Sequence, residues 1–263
     1  MQAIILTTLI LTLIGAACAV LLAVIDSKFG FKTDEKTAEV EAALPGANCG
    51  GCGYAGCSGY ANAVVHEGAP ANKCGPGGQA VADAIAAITG GDAGAIEPVA
   101  AFVKCGGDLS AAKLKSSYNG IADCESAHLV AGGWKQCAHG CLGFGSCARA
   151  CQYGAIDIVG GVAVVNHAIC AGCGACVAKC PRALISIVPK SHALHVRCAS
   201  PDKGAAVLKV CSNGCIGCGI CAKLDGAKSF KMNGFLAAVD YSQPPSSVEN
   251  IAEKCPRKCV AKI

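Results

Sequence analysis

The segment from Cys170 to Val188, "CAGCGACVAKCPRALISIV", decides how this chain is read. Three cysteines two apart, a fourth three further on and a proline behind it form the thiolate run of an iron–sulfur site, whose fourth cysteine serves a neighbouring cluster. Upstream, beyond the strand-like "VGGVAVVNHAI", lies a companion run, "CAHGCLGFGSCARACQYGAIDI" (137–158). Pairing the two runs by the two-cluster rule gives one [4Fe-4S] cluster to Cys151, Cys170, Cys173 and Cys176. The other takes Cys180 and ligands of the first run. That run has Phe144 where a cysteine belongs, and Cys137, four before Cys141, is the natural substitute, giving Cys137, Cys141, Cys147 and Cys180. Gln152, not proline, follows Cys151.

The pattern returns at "CSNGCIGCGICAKLD" (211–225), where Cys215, Cys218 and Cys221 are followed by Asp225 in the place of the fourth thiolate. Cys147 and Cys180 are separated by 32 residues, Cys221 and Cys255 by 33, and Pro256 follows Cys255 as Pro181 follows Cys180. Cys255 is therefore the expected fourth ligand. "YSQPPSSVENIAEK" (241–254) occupies the place of a second cluster's cysteines, so the module keeps one cluster and has lost the other. Cys105, Cys124, Cys198 and Cys211 remain. "FVKCGGD" echoes "HVRCASPDKG", and two readings stand: one additional cluster, or buried thiols and alternative ligands of neighbouring sites. Cys259 is read as a free thiol.

Nearer the start, "CGGCGYAGCSGYANAVVHEGAPANKC" supplies Cys49, Cys52, Cys57 and Cys74, four thiolates for one closed site, with glycines that let backbone N–H groups approach sulfur. His66 reads as a surface residue of a helix, since Cys74 completes the set without it. The run Gln2 to Ile25, "QAIILTTLILTLIGAACAVLLAVI", carries no charge and is long enough to span a bilayer. A cleaved signal peptide is the competing reading, but no Lys or Arg precedes the run. Lys28, Lys32 and Lys36 follow it, which puts the body of the protein on the cytoplasmic side of the membrane, in a reducing compartment. Cys18, within the span, reads as a small packing residue.

An N-terminal span, a charged stalk and "PGANCGGCGYAGCSGYA" with a distant Cys74 resemble the B subunit of the Rnf complex, the membrane-bound ion-translocating ferredoxin:NAD oxidoreductase, over nearly the whole chain. The resemblance implies a translocase subunit that performs electron transfer only, taking electrons from soluble ferredoxin and passing them to other Rnf subunits in the membrane. Na⁺ or H⁺ translocation and NAD reduction would be coupled to that flow. The alternative is a membrane-tethered polyferredoxin serving another oxidoreductase such as a hydrogenase.

The 22 cysteines in 263 residues suit clusters better than disulfides, because neighbours within C-x-x-C runs could not all pair with relaxed geometry. Zinc is the other reading of such pairs, but it usually mixes in histidine. The formal charge of +4 omits the negative charge of clusters, and no basic run interleaved with aromatics points to nucleic acid. "GCLGFGSC" (140–147) is a weak match to a dinucleotide loop, so the chain is expected not to bind NAD directly. No nucleophile–base set is present, and no catalytic residue is expected. The expected fold is α+β with four [4Fe-4S] clusters, or five if the remaining cysteines form a site: a transmembrane helix (1–27), a stalk and small helical cluster domain (28–90), a connecting segment (91–135), a two-cluster ferredoxin module (136–190) and a degenerate one-cluster module (191–263).

Overall fold

The computed structural model describes residues 2–29 and 34–262. The first helix, α1 (Gln2–Phe29), is apolar on all sides, and its span Ile4–Val24 has mean hydropathy 2.6 with none of it buried against the protein. Its 21 residues rise about 30 Å, the thickness of a bilayer core, and make it a candidate membrane span. Thr8 and Thr12 return their hydroxyl protons to carbonyls of the preceding turn, so neither needs water. Of the lysines that set the expected orientation, Lys32 and the side chain of Lys28 lie outside the described residues.

A small helical unit follows: α2 (Glu35–Ala43), α3 (Gly56–His66), a 3₁₀ turn (Ala71–Lys73) and α4 (Gly78–Thr89). Asp34 starts α2 by accepting from the Thr37 backbone N–H at 2.8 Å. The three helices meet over Val40, Tyr60, Val64 and Ile85, and the Tyr60 hydroxyl donates to the Pro70 carbonyl. His66 faces Thr37 and Asp34 at the far end of α3.

The rest of the chain is mixed. It runs β1 (Val99–Val103), α5 (Cys124–Leu129), α6 (Ser146–Arg149), β2 (Ile156–Val159), β3 (Val162–Val165), α7 (Ala175–Ala178) and β4 (Ile185–Pro189). Then come β5 (Leu194–Val196), α8 (Gly204–Val210), α9 (Ile220–Leu224), β6 (Phe230–Asn233), β7 (Leu236–Val239), α10 (Val248–Glu253) and β8 (Val260–Lys262). All sheets among the described residues are two-stranded and antiparallel: β1 with β4, β2 with β3, β5 with β8, β6 with β7. The order is a repeat. An outer pair (Val103 opposite Ile185; Val196 opposite Val260) encloses a hairpin in each half. Gly160 and Gly161, with φ of 56° and 74°, make the first hairpin's two-residue turn, which requires left-handed backbone at both positions.

The segment 91–135, read from sequence as a connector, supplies β1 and therefore half of the first outer pair. Each half has a thin core. Nine buried residues form the first, and three of these, Cys105, Cys147 and Cys176, are cysteines; the second also holds nine, including Cys215, Cys221 and Cys259. The remaining aliphatic side chains supply roughly 1.5–3 kcal/mol each on full burial. So few of them leave cohesion to depend on what joins the thiols.

Asp225, standing where a thiolate was expected, is buried and accepts five hydrogen bonds: from Ser229 Oγ (2.6 Å), the backbone N–H of Phe230 (3.0 Å) and Ala227 (3.3 Å), and the Oγ and backbone N–H of Ser246 (3.0 Å each). Burial opposes its ionisation, but the bonds from Ser229, Ser246 and Phe230 outweigh it and hold the carboxyl below the usual carboxylate range. The carboxylate thus ties the end of α9 to the segment before α10, doing with hydrogen bonds what a second cluster would do with iron. Asp225→Ala is expected to lower the unfolding free energy by about 3 kcal/mol at pH 7 by stranding buried donors. Because the folded-state carboxyl is held low, its contribution is complete above about pH 4 and fades as pH falls below that. Denaturant unfolding of the two proteins at pH 7 tests this; equal midpoints would contradict it.

Candidate iron–sulfur sites

The thiols of the helical unit gather at one end of its core. Cys74 is buried, Cys52 and Cys57 pack against the same core, and Cys49, Cys52 and Cys57 all act electrostatically on Cys74. Asn48 fixes the loop by accepting from the Cys57 backbone N–H at 2.8 Å. A Cβ on Gly51 would stand 2.5 Å from the Cys173 carbonyl oxygen, so this loop lies directly on the loop of Cys170–Cys176. That second set comprises Cys170, Cys173, Cys176 and Cys151, each of the others perturbing Cys176. Ala101 donates its N–H to Cys170 Sγ and Ala155 to Cys151 Sγ, at 3.4 and 3.3 Å.

The third grouping differs from the expected one. A cavity between α5, α6 and the Cys180 turn is lined by Cys124, Cys141, Cys147 and Cys180, and Cys137 is not among its walls. The cause is local bonding. Asp123 caps α5 and accepts from Ser146 Oγ at 2.7 Å, while Ser146 Oγ accepts from the Cys124 N–H at 2.8 Å. Arg149 adds a 2.9 Å contact to the same carboxylate. Those bonds pin Cys124 beside α6, which carries Cys147. Arg182 meanwhile donates to the carbonyls of Cys137, Gly140 and Gly132 and holds Cys137 on the other side of the loop.

Cys137 lines a neighbouring cavity with Cys105, Cys198 and Cys211. Here the two halves of the chain meet. Cys105 follows β1 as Cys198 follows β5, Gly106 N–H donates to the Arg197 carbonyl at 2.9 Å, and Phe102 stacks on His195 with ring centres 4.6 Å apart. Of the four cysteines left over from the sequence runs, Cys105, Cys198 and Cys211 line this cavity and Cys124 lines the one before it. The cavities touch, because Cys141 N–H donates to Cys105 Sγ at 3.2 Å. The last cavity, lined by Cys215, Cys218, Cys221 and Cys255, also contains Cys259. The backbone of Cys215 bonds the Cys198 thiol and links this site to the one before.

These thiols surround small cavities instead of meeting at a point. Among the described residues no group of three Cys, His, Asp or Glu side chains is set to hold a single metal ion. Burial pushes the Cys147 thiol up to about 12, with Cys141, Cys124 and Cys180 adding to the effect, and pushes Cys176 and Cys221 up to about 11. Iron binds such thiols as thiolates and takes the place of their protons.

Sequence comparison agrees with this chemistry. Residues 44–76 match a family model described as "Putative Fe-S cluster". The chain is 37% identical over 248 residues to the B subunit of an ion-translocating oxidoreductase complex from Methanosarcina acetivorans, covering 94% of each. It is 41% identical over 266 residues to the B subunit of the proton-translocating ferredoxin:NAD(+) oxidoreductase complex of Clostridium ljungdahlii, covering 100% of this chain and 94% of that one. Against the B subunit of the Na(+)-translocating ferredoxin:NAD(+) oxidoreductase complex of Acetobacterium woodii it is 35% identical over 254 residues, 96% of this chain and 76% of the relative.

The chain belongs to the B-subunit family of ion-translocating oxidoreductase (Rnf) complexes. Iron–sulfur clusters are the cofactor of this Rnf protein. Three residues at its sites had no signal in the cysteine runs. Arg182 lines the Cys124 cavity. Lys135, 1% exposed, lines the Cys105 cavity and donates to the carbonyls of Gly107 and Gly161 at 2.8 Å each. Cys259 hydrogen-bonds the thiols of Cys255 and Cys215 and pulls both down. Trp134 packs against Phe144 in the small core that holds Cys124, with its indole N–H on the Leu142 carbonyl at 2.8 Å.

Burial lowers the Lys135 pKa while Cys105, Cys141 and other neighbours oppose the loss of its charge. A fixed cation beside a cluster favours the more negative, reduced form. Lys135→Met is therefore expected to lower the reduction potential of a cluster held by Cys105, Cys137, Cys198 and Cys211, and to cost about 2 kcal/mol by stranding two carbonyls. An EPR-monitored redox titration checks the first and denaturant unfolding the second; an unchanged potential would contradict the electrostatic role.

Proposed function

We propose that this protein is a membrane-anchored wire of five [4Fe-4S] clusters that takes electrons from reduced ferredoxin and passes them to the other subunits of an Rnf complex, where the flow drives ion translocation and NAD reduction. The observation that carries the reading is the unbroken series of thiol-lined sites. Cys49, Cys52, Cys57 and Cys74 adjoin Cys151, Cys170, Cys173 and Cys176; then follow Cys124, Cys141, Cys147 and Cys180; then Cys105, Cys137, Cys198 and Cys211; and last Cys215, Cys218, Cys221 and Cys255. Each adjoining pair is joined by a shared core, a contact between loops or a direct backbone-to-sulfur bond.

The architecture follows the same line. Residues 1–27 are the anchor and 28–90 the stalk and first cluster domain. Two ferredoxin-like modules run from β1 to β4 and from β5 to β8, the first with two clusters and the second with one plus the Asp225 carboxylate. The fourth set joins the modules.

Direction is suggested by the ends. Cys218 is exposed, and exposed Lys223, Lys254 and Lys258 lie along its module, a surface suited to an acidic protein donor such as ferredoxin. The Cys49 set is the one nearest the membrane helix along the chain. The basic residues after that helix put the clusters on the cytoplasmic side.

The regrouping of Cys124 and Cys137 makes the wire testable. Cys124→Ala and Cys180→Ala should each lose about four irons, and the double variant no more than either. Cys137→Ala should also lose about four, but combined with Cys180→Ala should lose about eight. Rapid-mixing spectroscopy with reduced ferredoxin should then find the last cluster of Cys137→Ala still reduced quickly and the first reduced slowly. Additive losses for Cys124 with Cys180, or fast reduction past the gap, would overturn the proposal.

A further inference from the structure

Five thiols, not four, face the last cavity. Cys259 is 3% exposed and lines the cavity together with Cys215, Cys218, Cys221 and Cys255. The fold puts it there for a reason visible in the first repeat. After Cys180 the chain turns through Ala183, whose φ is 50°, and the side chain of Leu184 comes round to line the Cys124 cavity. After Cys255 it makes the same turn through Lys258, with φ 47° and its N–H on the Cys255 carbonyl at 3.1 Å, and brings Cys259 to the equivalent place. The position that follows Cys–Pro by three residues therefore points at the cluster in both halves. It is apolar in one and a thiol in the other.

The Sγ atoms of Cys255 and Cys259 are 3.6 Å apart. Two thiolates on one tetrahedral metal with bonds of about 2.3 Å stand about 3.8 Å apart. Both sulfurs can thus reach the same iron with little movement of the backbone; Cys259 also hydrogen-bonds the Cys215 thiol, and its 3.6 Å contact is with Cys255.

We propose that Cys259 is a reserve ligand for the iron held by Cys255. In the exchange the bond from iron to Cys255 sulfur breaks, the bond to Cys259 sulfur forms, and the Cys259 thiol proton passes to the departing Cys255 sulfur. Charge and electron count do not change, and no oxidant or reductant is required. The cluster with the exposed ligand Cys218 therefore has two thiols for one corner.

This inference rests on the cluster reading of the cavity, and four full-length variants separate the two. Cys218→Ala, at a corner with no spare thiol, should lose about four irons per chain after anaerobic reconstitution. Cys255→Ala should keep them, with altered EPR g-values for that cluster. Cys259→Leu, which installs the first repeat's residue, should also keep them, and Cys255→Ala combined with Cys259→Leu should lose about four. The EPR signals of the remaining clusters report whether each variant has folded. A folded Cys255→Ala that loses as much iron as Cys218→Ala overturns the reserve role. Loss of iron from Cys259→Leu alone also overturns it, because Cys255 would then not be the resident ligand. If Cys218→Ala loses none, the cluster reading of this cavity falls and the inference falls with it.

Discussion

Buried thiols in groups of four constrain everything else in this chain. Three of the groups line small cavities, and burial, with neighbouring thiols adding to it, drives Cys147 and Cys176 well above the ordinary thiol range. Iron held by such thiols would replace their protons, and in the proposed sets it would join segments far apart in sequence, such as those of Cys124 and Cys180. Two cores of nine buried residues, a third of them cysteine, have little other means of cohesion. The cofactor is thus part of the fold before it is part of the function.

An outer strand pair around a hairpin recurs in both halves of the chain. In the second half the place of a thiolate belongs to Asp225, and the carboxylate gathers five donors from two segments that a cluster would have joined. Serines stand at the key donor positions, Ser229 and Ser246. The strand topology of the two halves is the same. At the boundary between halves Cys105 and Cys198, at matching positions after β1 and β5, share a cavity.

Much of this was legible in the sequence because ligand runs are local. The runs at Cys49–Cys57, Cys170–Cys180 and Cys215–Cys221 declare themselves through spacing, and Cys255 through the proline behind it and the matched distance to Cys180. What escaped was set by tertiary bonds. Cys137 lies four residues before Cys141 and looked like its partner, yet Arg182 draws it away while the Asp123–Ser146 contact brings Cys124 in. The strand "VAAFV" (99–103) was hidden in a supposed connector because its partner β4 lies more than eighty residues downstream. Cys259 looked free because nothing in a cysteine count distinguishes a thiol behind a turn from one aimed into a cavity; comparison with Leu184 would have done so.

The central claim is that the groups of thiols form five closed sites in one series, with the fourth site made from both halves of the chain. Iron and acid-labile sulfide per chain, measured on anaerobically reconstituted full-length protein together with Mössbauer spectroscopy, test it most directly. The account predicts about 20 irons and as many sulfides, all in four-iron clusters. About 16 irons, with Cys105, Cys137, Cys198 and Cys211 open to alkylation, would contradict it.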